Sequence, residues 1–309
     1  MTLLYFDPIF LEHRTGDHPE SPDRILPAID QLSCTGLGAA YQRPAWQPVS
    51  TDRLAYVHDE DYIKSVQQYA DAGGGYLDSD TVVSKRSYEA AIHATGAVCD
   101  ATERVIRAED TNAFCLVRPP GHHAMPDHAT GFCLFNHIAV AARVATNELG
   151  IDRVLIVDFD VHHGNGTQAT FYDSGDVGYF SIHRSPFYPN TGFASDIGEG
   201  NGRGMTMNVP IRFGESRTDQ IDRFRQTVNS FADHVQPQLV MVSAGFDAHK
   251  EDPIGSLGWE SEDFRTVTRL LLDIASKHAC GRLVSVLEGG YNAEAVAECI
   301  AIHLEELGG

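Results

Sequence analysis

Val154-Leu-Ile-Val-Asp-Phe-Asp-Val-His-His-Gly-Asn165 is the stretch that decides the fold. It opens with four apolar residues that show no alternation, the composition of a strand covered on both faces. It then runs into side chains that bind metals or move protons. Leu239-Val-Met-Val-Ser-Ala-Gly-Phe-Asp247 opens the same way, and Leu283-Val-Ser-Val-Leu-Glu-Gly-Gly-Tyr291 does so with one serine inside its apolar run. A fourth run, Ala113-Phe-Cys-Leu-Val117, leads into Arg118-Pro-Pro-Gly-His-His-Ala124. Open parallel sheets gather their chemistry just outside the carboxyl ends of their strands. Four strands that each deliver polar groups at that end predict one shared site, and the groups they deliver predict a hydrolase.

Outward from these runs the pattern repeats. Leu3–Phe6 and Val177–Ile182 read as further strands, with helical periodicity near Asp61–Asp71, Ser87–Arg107, Asn136–Leu149, Arg217–His234, Ser261–His278 and Ala293–Leu307. Ser216 and Ser261 each offer an oxygen where a helix N-cap is wanted. Strand–helix alternation implies an α/β fold, a mostly parallel sheet with helices on both sides. No linker or composition break divides residues 1–309, so a single domain is expected. Phe10–Pro27 and Arg184–Arg203, rich in Pro and Gly, read as long loops able to wall a pocket above the strand ends.

The chain has 309 residues, 42% hydrophobic and 21% charged, as an ordinary globular protein does. Its formal charge of −20 argues against a nucleic-acid groove, which needs clustered Lys and Arg, and suits a cationic ligand. The six cysteines, at 34, 99, 115, 133, 280 and 299, form no close pair and are expected to be reduced, which points to the cytoplasm. No secretory signal opens the chain, and no run approaches the ~18 apolar residues of a membrane span.

Asp160 and His162, two apart at a strand end, are expected to point the same way, while Asp247 ends a separate strand run and can approach from a neighbouring position. One imidazole and two carboxylates make a three-ligand site with room for water, as catalytic zinc requires, although iron(II) or manganese also accepts such donors. Asp158 lies on the Asp160 side and can orient an imidazole as a second carboxylate behind the site. His122 and His123 follow a strand into a Gly turn. One of them can act as general base and then as acid toward a leaving amine; the other can stay charged. Tyr291 follows two glycines, and its phenol can polarise a carbonyl and hold an oxyanion.

At these residues the sequence resembles the histone deacetylase and acetylpolyamine amidohydrolase superfamily. The resemblance runs through His18-Pro-Glu-Ser-Pro-Asp-Arg24, Arg118-Pro-Pro-Gly-His-His-Ala124, Gly131-Phe-Cys-Leu-Phe-Asn136, Asp158-Phe-Asp-Val-His-His-Gly-Asn-Gly-Thr167, Pro186-Phe-Tyr-Pro-Asn-Thr-Gly192, Ser243-Ala-Gly-Phe-Asp-Ala-His249 and Leu287-Glu-Gly-Gly-Tyr-Asn292. It implies an arginase-like three-layer fold with a central sheet of about eight strands. It also implies one Zn2+ on Asp160, His162 and Asp247, His123 as base and acid, His122 as its partner held by Asp158, and Tyr291 on the scissile amide. Gly131, Phe132 and Tyr188 are similar to the walls of an acyl-lysine tunnel, and Asp80 to a rim aspartate. Structural K+ is implied near Asp158, Asp160, His162 and Ser181, with a second ion near Phe171. Asn165 stands where some members have aspartate, as in class II and bacterial relatives. Ile254 stands where polyamine-selective members place an acid.

The function expected is zinc-dependent deacylation of an Nε-acetyl-lysine peptide or protein, with a small acetylpolyamine as the alternative carrier. Relatives range from monomers to homo-oligomers. Two rivals differ in kind. A binuclear ureohydrolase of the same fold needs extra carboxylates, and Asn165 withholds one. A non-catalytic acyl-lysine binding module has no use for His123 and Tyr291.

Overall fold

The computed structural model describes residues 2–34 and 41–309; Met1 and residues 35–40 lie outside it. Nine strands are present among the described residues: β1 (Thr2–Tyr5), β2 (Gly74–Tyr76), β3 (Val82–Ser84), β4 (Asn112–Cys115), β5 (Val154–Asp158), β6 (Val177–Arg184), β7 (Thr206–Ile211), β8 (Leu239–Ala244) and β9 (Leu283–Leu287). Seven of them form one sheet in the order β1-β4-β9-β8-β5-β6-β7. Every neighbouring pair in it is parallel. The remaining two, β2 and β3, pair as a separate antiparallel hairpin. The sheet therefore has seven strands where about eight were expected.

Alternate residues of the inner strands supply two different cores, which is why these strands read as unbroken apolar runs. Val154 and Ile156 of β5 pack with helices Ser87–Ile106 and His137–Glu148 on one face. Leu155 and Val157 pack on the other with helices Arg217–Val235, Ser261–His278 and Ala293–Gly308. Three layers result. The helix at 261 is capped by Glu260, whose N–H donates to the Asp263 carboxylate at 2.8 Å; Ser261 is its first residue, not its cap. Ser216 stands at the cap position without a side-chain bond.

The strand order positions the site. From β5 the chain moves outward to β6 and β7, while from β8 it moves the opposite way to β9. Adjacent strands β5 and β8, in register at Asp158 and Ser243, therefore send their following loops in opposite directions. The gap that opens above them is the crevice where sheets of this class bind ligands.

Candidate active site

Asp160 and His162 leave β5 into this crevice, and Asp247 leaves β8. Both of the first two lie just past the strand instead of on its extended end. Asp158 Oδ1 accepts the Asp160 N–H at 3.1 Å, and Asp160 Oδ1 accepts the His162 N–H at 2.9 Å. Each aspartate thus folds the backbone two residues on into a turn. The three side chains still converge. His162 Nδ1 lies 3.0 Å from Asp160 Oδ1 and 3.1 Å from Asp247 Oδ2. The other carboxylate oxygens are held from behind, Asp160 Oδ2 by the Gly289 N–H at 2.8 Å and Asp247 Oδ1 by the Val161 N–H at 2.8 Å.

All three ligand candidates are buried, with donor atoms within 4.8 Å of one another. Burial works against charge on His162, but its hydrogen bonds to Asp160 and Asp247 override this and raise it to about 10. Burial and the nearby Asp160 push Asp247 up to about 7. The pocket is built around a positive charge between two carboxylates. A divalent cation ~2.0–2.2 Å from such N and O donors needs separations of this size. A β-carbon at Gly245 or Gly289 would collide with the same carboxylates, so both loops pass as bare backbone. The donor set fits a metal.

His122 and His123 face the triad from the loop after β4, their rings 4.0 Å apart. His122 Nδ1 donates to Asp158 Oδ2 at 3.0 Å. Burial opposes its charge, yet Asp158 and Asp160 raise it to about 10. His123 Nδ1 lies 2.7 Å from Asn165 Oδ1. An amide oxygen only accepts, so Nδ1 carries the proton and Nε2 keeps its lone pair. Burial first, then the neighbouring His122 and His162, hold His123 well below the ordinary histidine range. Two adjacent histidines are thus split into a cation and a neutral base.

Two residues that shape this pair escaped the sequence reading. Glu288 Oε2 accepts the N–H groups of Gly121 and His122 at 2.7 and 3.1 Å, and its Oε1 accepts from Ser243 at 3.0 Å. Tyr179 donates to Asp158 Oδ2 at 3.1 Å. Glu288 was visible beside Tyr291 but carried no pattern of its own; Tyr179 sits inside a buried strand.

A pocket of about 230 Å³ opens above these groups, lined by Asp80, Gly131, Phe132, Ile254 and Tyr188 with His123, His162 and Tyr291. Phe187 also lines it, stacked on His162 at 5.2 Å and 17°; the sequence reading named only its neighbour. Tyr188 stands edge-on to His123 at 5.3 Å. Gly131, at φ +57°, has no room for a side chain against the His123 ring. Among the described residues the Tyr291 hydroxyl has no hydrogen-bond partner. Burial raises its pKa, so it is a neutral donor at neutral pH. Arg24 stacks on its ring at 4.8 Å and donates to the carbonyls of Glu288 and Gly290, each at 2.6 Å. Behind it, buried Glu20 binds both Arg24 and Arg118. Ser181 is register-paired with Asp158 and lies 2.9 Å from His183 Nδ1. Phe171 packs in the core beneath Arg143, away from the pocket.

Fold and site together fit a metal-dependent hydrolase, with the three ligand candidates, the histidine pair and Tyr291 below an aromatic slot. The histone deacetylase domain matches residues 18–307. A histone deacetylase-like amidohydrolase of Pseudomonas aeruginosa is 38% identical, over 100% of this chain and 86% of its own length. A probable deacetylase of Archaeoglobus fulgidus is 34% identical, over 95% of this chain and 82% of its own. The crystal structure of the HDA15 HD domain superposes with a TM-score of 0.94 at 35% identity, covering 99% of this chain and 88% of that one. The chain belongs to the histone deacetylase family and is a deacetylase-type amidohydrolase. No helix among the described residues is long and apolar enough to cross a membrane.

Proposed function

We propose that this protein hydrolyses the amide of an Nε-acyl-lysine side chain, releasing acetate or a similar short acid. The observation that carries this reading is the slot itself. Phe132, Phe187 and Tyr188 line a passage that ends on an imidazole with a free Nε2 and an unpartnered phenol. An aliphatic lysine stem suits such walls, and the amide at its tip suits such a floor.

Asp160, His162 and Asp247 would hold zinc, which when bound polarises a carbonyl and brings the pKa of a water to about 7. His123 Nε2 accepts the proton of the attacking water while Asn165 keeps Nδ1 protonated and the ring oriented. The same Nε2 then hands that proton to the departing amine. Tyr291 donates its O–H to the amide oxygen as negative charge grows there, and Arg24 holds its loop. His122, charged by Asp158, adds fixed positive potential under the reacting atoms. Asp80 at the rim accepts a substrate backbone N–H. A structural potassium would be held near Asp158, Asp160, His162 and Ser181, and a second ion near Phe171.

Zinc-loaded protein should release acetate from acetyl-lysine peptides faster than from acetylated polyamines, because Ile254 at the mouth offers a polyammonium chain no charge. Faster turnover of acetylpolyamines would move the assignment to the small carrier. No release from either, with zinc bound, would support a non-catalytic binding role.

A further inference from the structure

We infer that Arg184, at the end of β6, is a positioning residue that fixes the width of the tunnel; this rests on the acyl-lysine reading above. Its guanidinium lies between two aromatic rings, 4.3 Å from the centroid of Phe187 and 4.3 Å from that of Phe213. Phe187 in turn stacks on His162. A continuous column therefore runs from Phe213, a surface residue 66% exposed, through Arg184 and the tunnel wall to a side chain of the proposed metal site.

Three more contacts tie Arg184 to the same region. Its backbone N–H donates to the carbonyl of Val161, between Asp160 and His162, at 2.8 Å. Its Nη1 donates to the carbonyl of Gly255 at 3.0 Å, next to the wall residue Ile254. Its Nε is buried without a hydrogen-bond partner, and among the described residues no carboxylate pairs with it. Arg184 is half-buried, and a guanidinium nitrogen shut away from water normally takes an acceptor. Here stacking and one carbonyl hold it, so its plane is set by Phe187 and Phe213. The arrangement fits a part whose task is to hold two walls, Phe187 and Ile254, at fixed separation. Lysine cannot replace it, because an ammonium has no planar face to stack.

The test compares the zinc-loaded full chain with Arg184→Lys and with Phe213→Ala, which removes only an exposed ring. Acetyl- and butyryl-lysine peptides of one sequence give the ratio of kcat/KM values, a quantity independent of the active fraction. The butyryl-to-acetyl ratio should rise at least fivefold in Arg184→Lys and move the same way, by less, in Phe213→Ala. Calorimetry gives a readout without turnover. Acetohydroxamate, which needs only the metal site, should bind within twofold of wild type. Benzohydroxamate, whose ring needs the wall, should bind at least fivefold more weakly to Arg184→Lys. An unchanged hydroxamate pattern overturns the inference, as does equal loss on both peptides. A wild type that turns over neither peptide refutes the acyl-lysine reading instead, and the hydroxamate comparison still decides the role of Arg184.

Discussion

Replacing Gly289 with alanine should strip the protein of its metal while leaving its fold standing. Gly289 is the point at which the chain leaving β9 passes between two carboxylates, donating its N–H to Asp160 Oδ2 at 2.8 Å. A β-carbon there would stand 2.5 Å from Asp160 Oδ2 and 2.9 Å from Asp247 Cγ, and nearer still to Asp247 Oδ2. Ordinary contact begins at 3.4 Å, so one carboxylate must retreat by roughly 1 Å, whereas metal–ligand distances hold to within about 0.2 Å. Neither carboxylate retreats freely, since the His162 N–H holds Asp160 Oδ1 and the Val161 N–H holds Asp247 Oδ1. One of three ligands is therefore lost or misdirected. Changes to groups that merely support a ligand cost about 10–100-fold in metal affinity, and direct displacement belongs at or beyond the upper end. Zinc affinity should fall at least about 100-fold, roughly 2.8 kcal/mol. Chelator competition on the full chain reads this directly, and far-ultraviolet dichroism of both zinc-free proteins checks the fold. A correctly folded Gly289→Ala protein that binds zinc within threefold of wild type would refute the reasoning.

Other outcomes follow from the same geometry. Tyr291→Phe removes the one unpartnered phenol on the pocket floor and should lower kcat about 10²–10³-fold with KM little changed; steady-state kinetics on an acetyl-lysine peptide checks it. Glu20→Gln leaves the buried guanidiniums of Arg24 and Arg118 without their counter-charge and should cost about 3–5 kcal/mol in urea unfolding. Burial lowers His58 and His137 to about 4, so both are neutral when folded yet protonate near the ordinary histidine range when unfolded. Their stabilisation is complete above pH ~6.5 and is lost as pH falls toward their folded values. Each should contribute roughly 2 kcal/mol less at pH 5 than at pH 7. A flat unfolding free energy between those pH values would count against their burial as neutral rings.

Much of this arrangement was legible because buried parallel strands write themselves as unbroken apolar runs. The apolar openings of the stretches that begin at Val154 and Leu283 are found as strands Val154–Asp158 and Leu283–Leu287. Where the signal was local and apolar it sufficed; where a strand depends on its neighbour it did not. β7, Thr-Met-Asn-Val-Pro-Ile, escaped because Pro210 and Asn208 break the pattern. A proline is tolerated there because β7 lies at the sheet edge. The hairpin of β2 and β3 has only three residues in each strand and begins with two glycines. The convergence of Asp160, His162 and Asp247 could be anticipated from strand ends, but not the adjacency of β5 and β8 that brings it about, since pairing order is a long-range property. The same holds for the groups behind the site. Glu288, Arg24 and Tyr179 act through hydrogen bonds to residues far along the chain. No spacing rule points to such contacts.

Metal stoichiometry in the wild type and in Asp247→Ala tests the central claim most directly. The account predicts one equivalent of zinc per wild-type chain and loss of both the metal and acetate release in the variant. Two equivalents of manganese in the wild type, or zinc retained undiminished without Asp247, would contradict it.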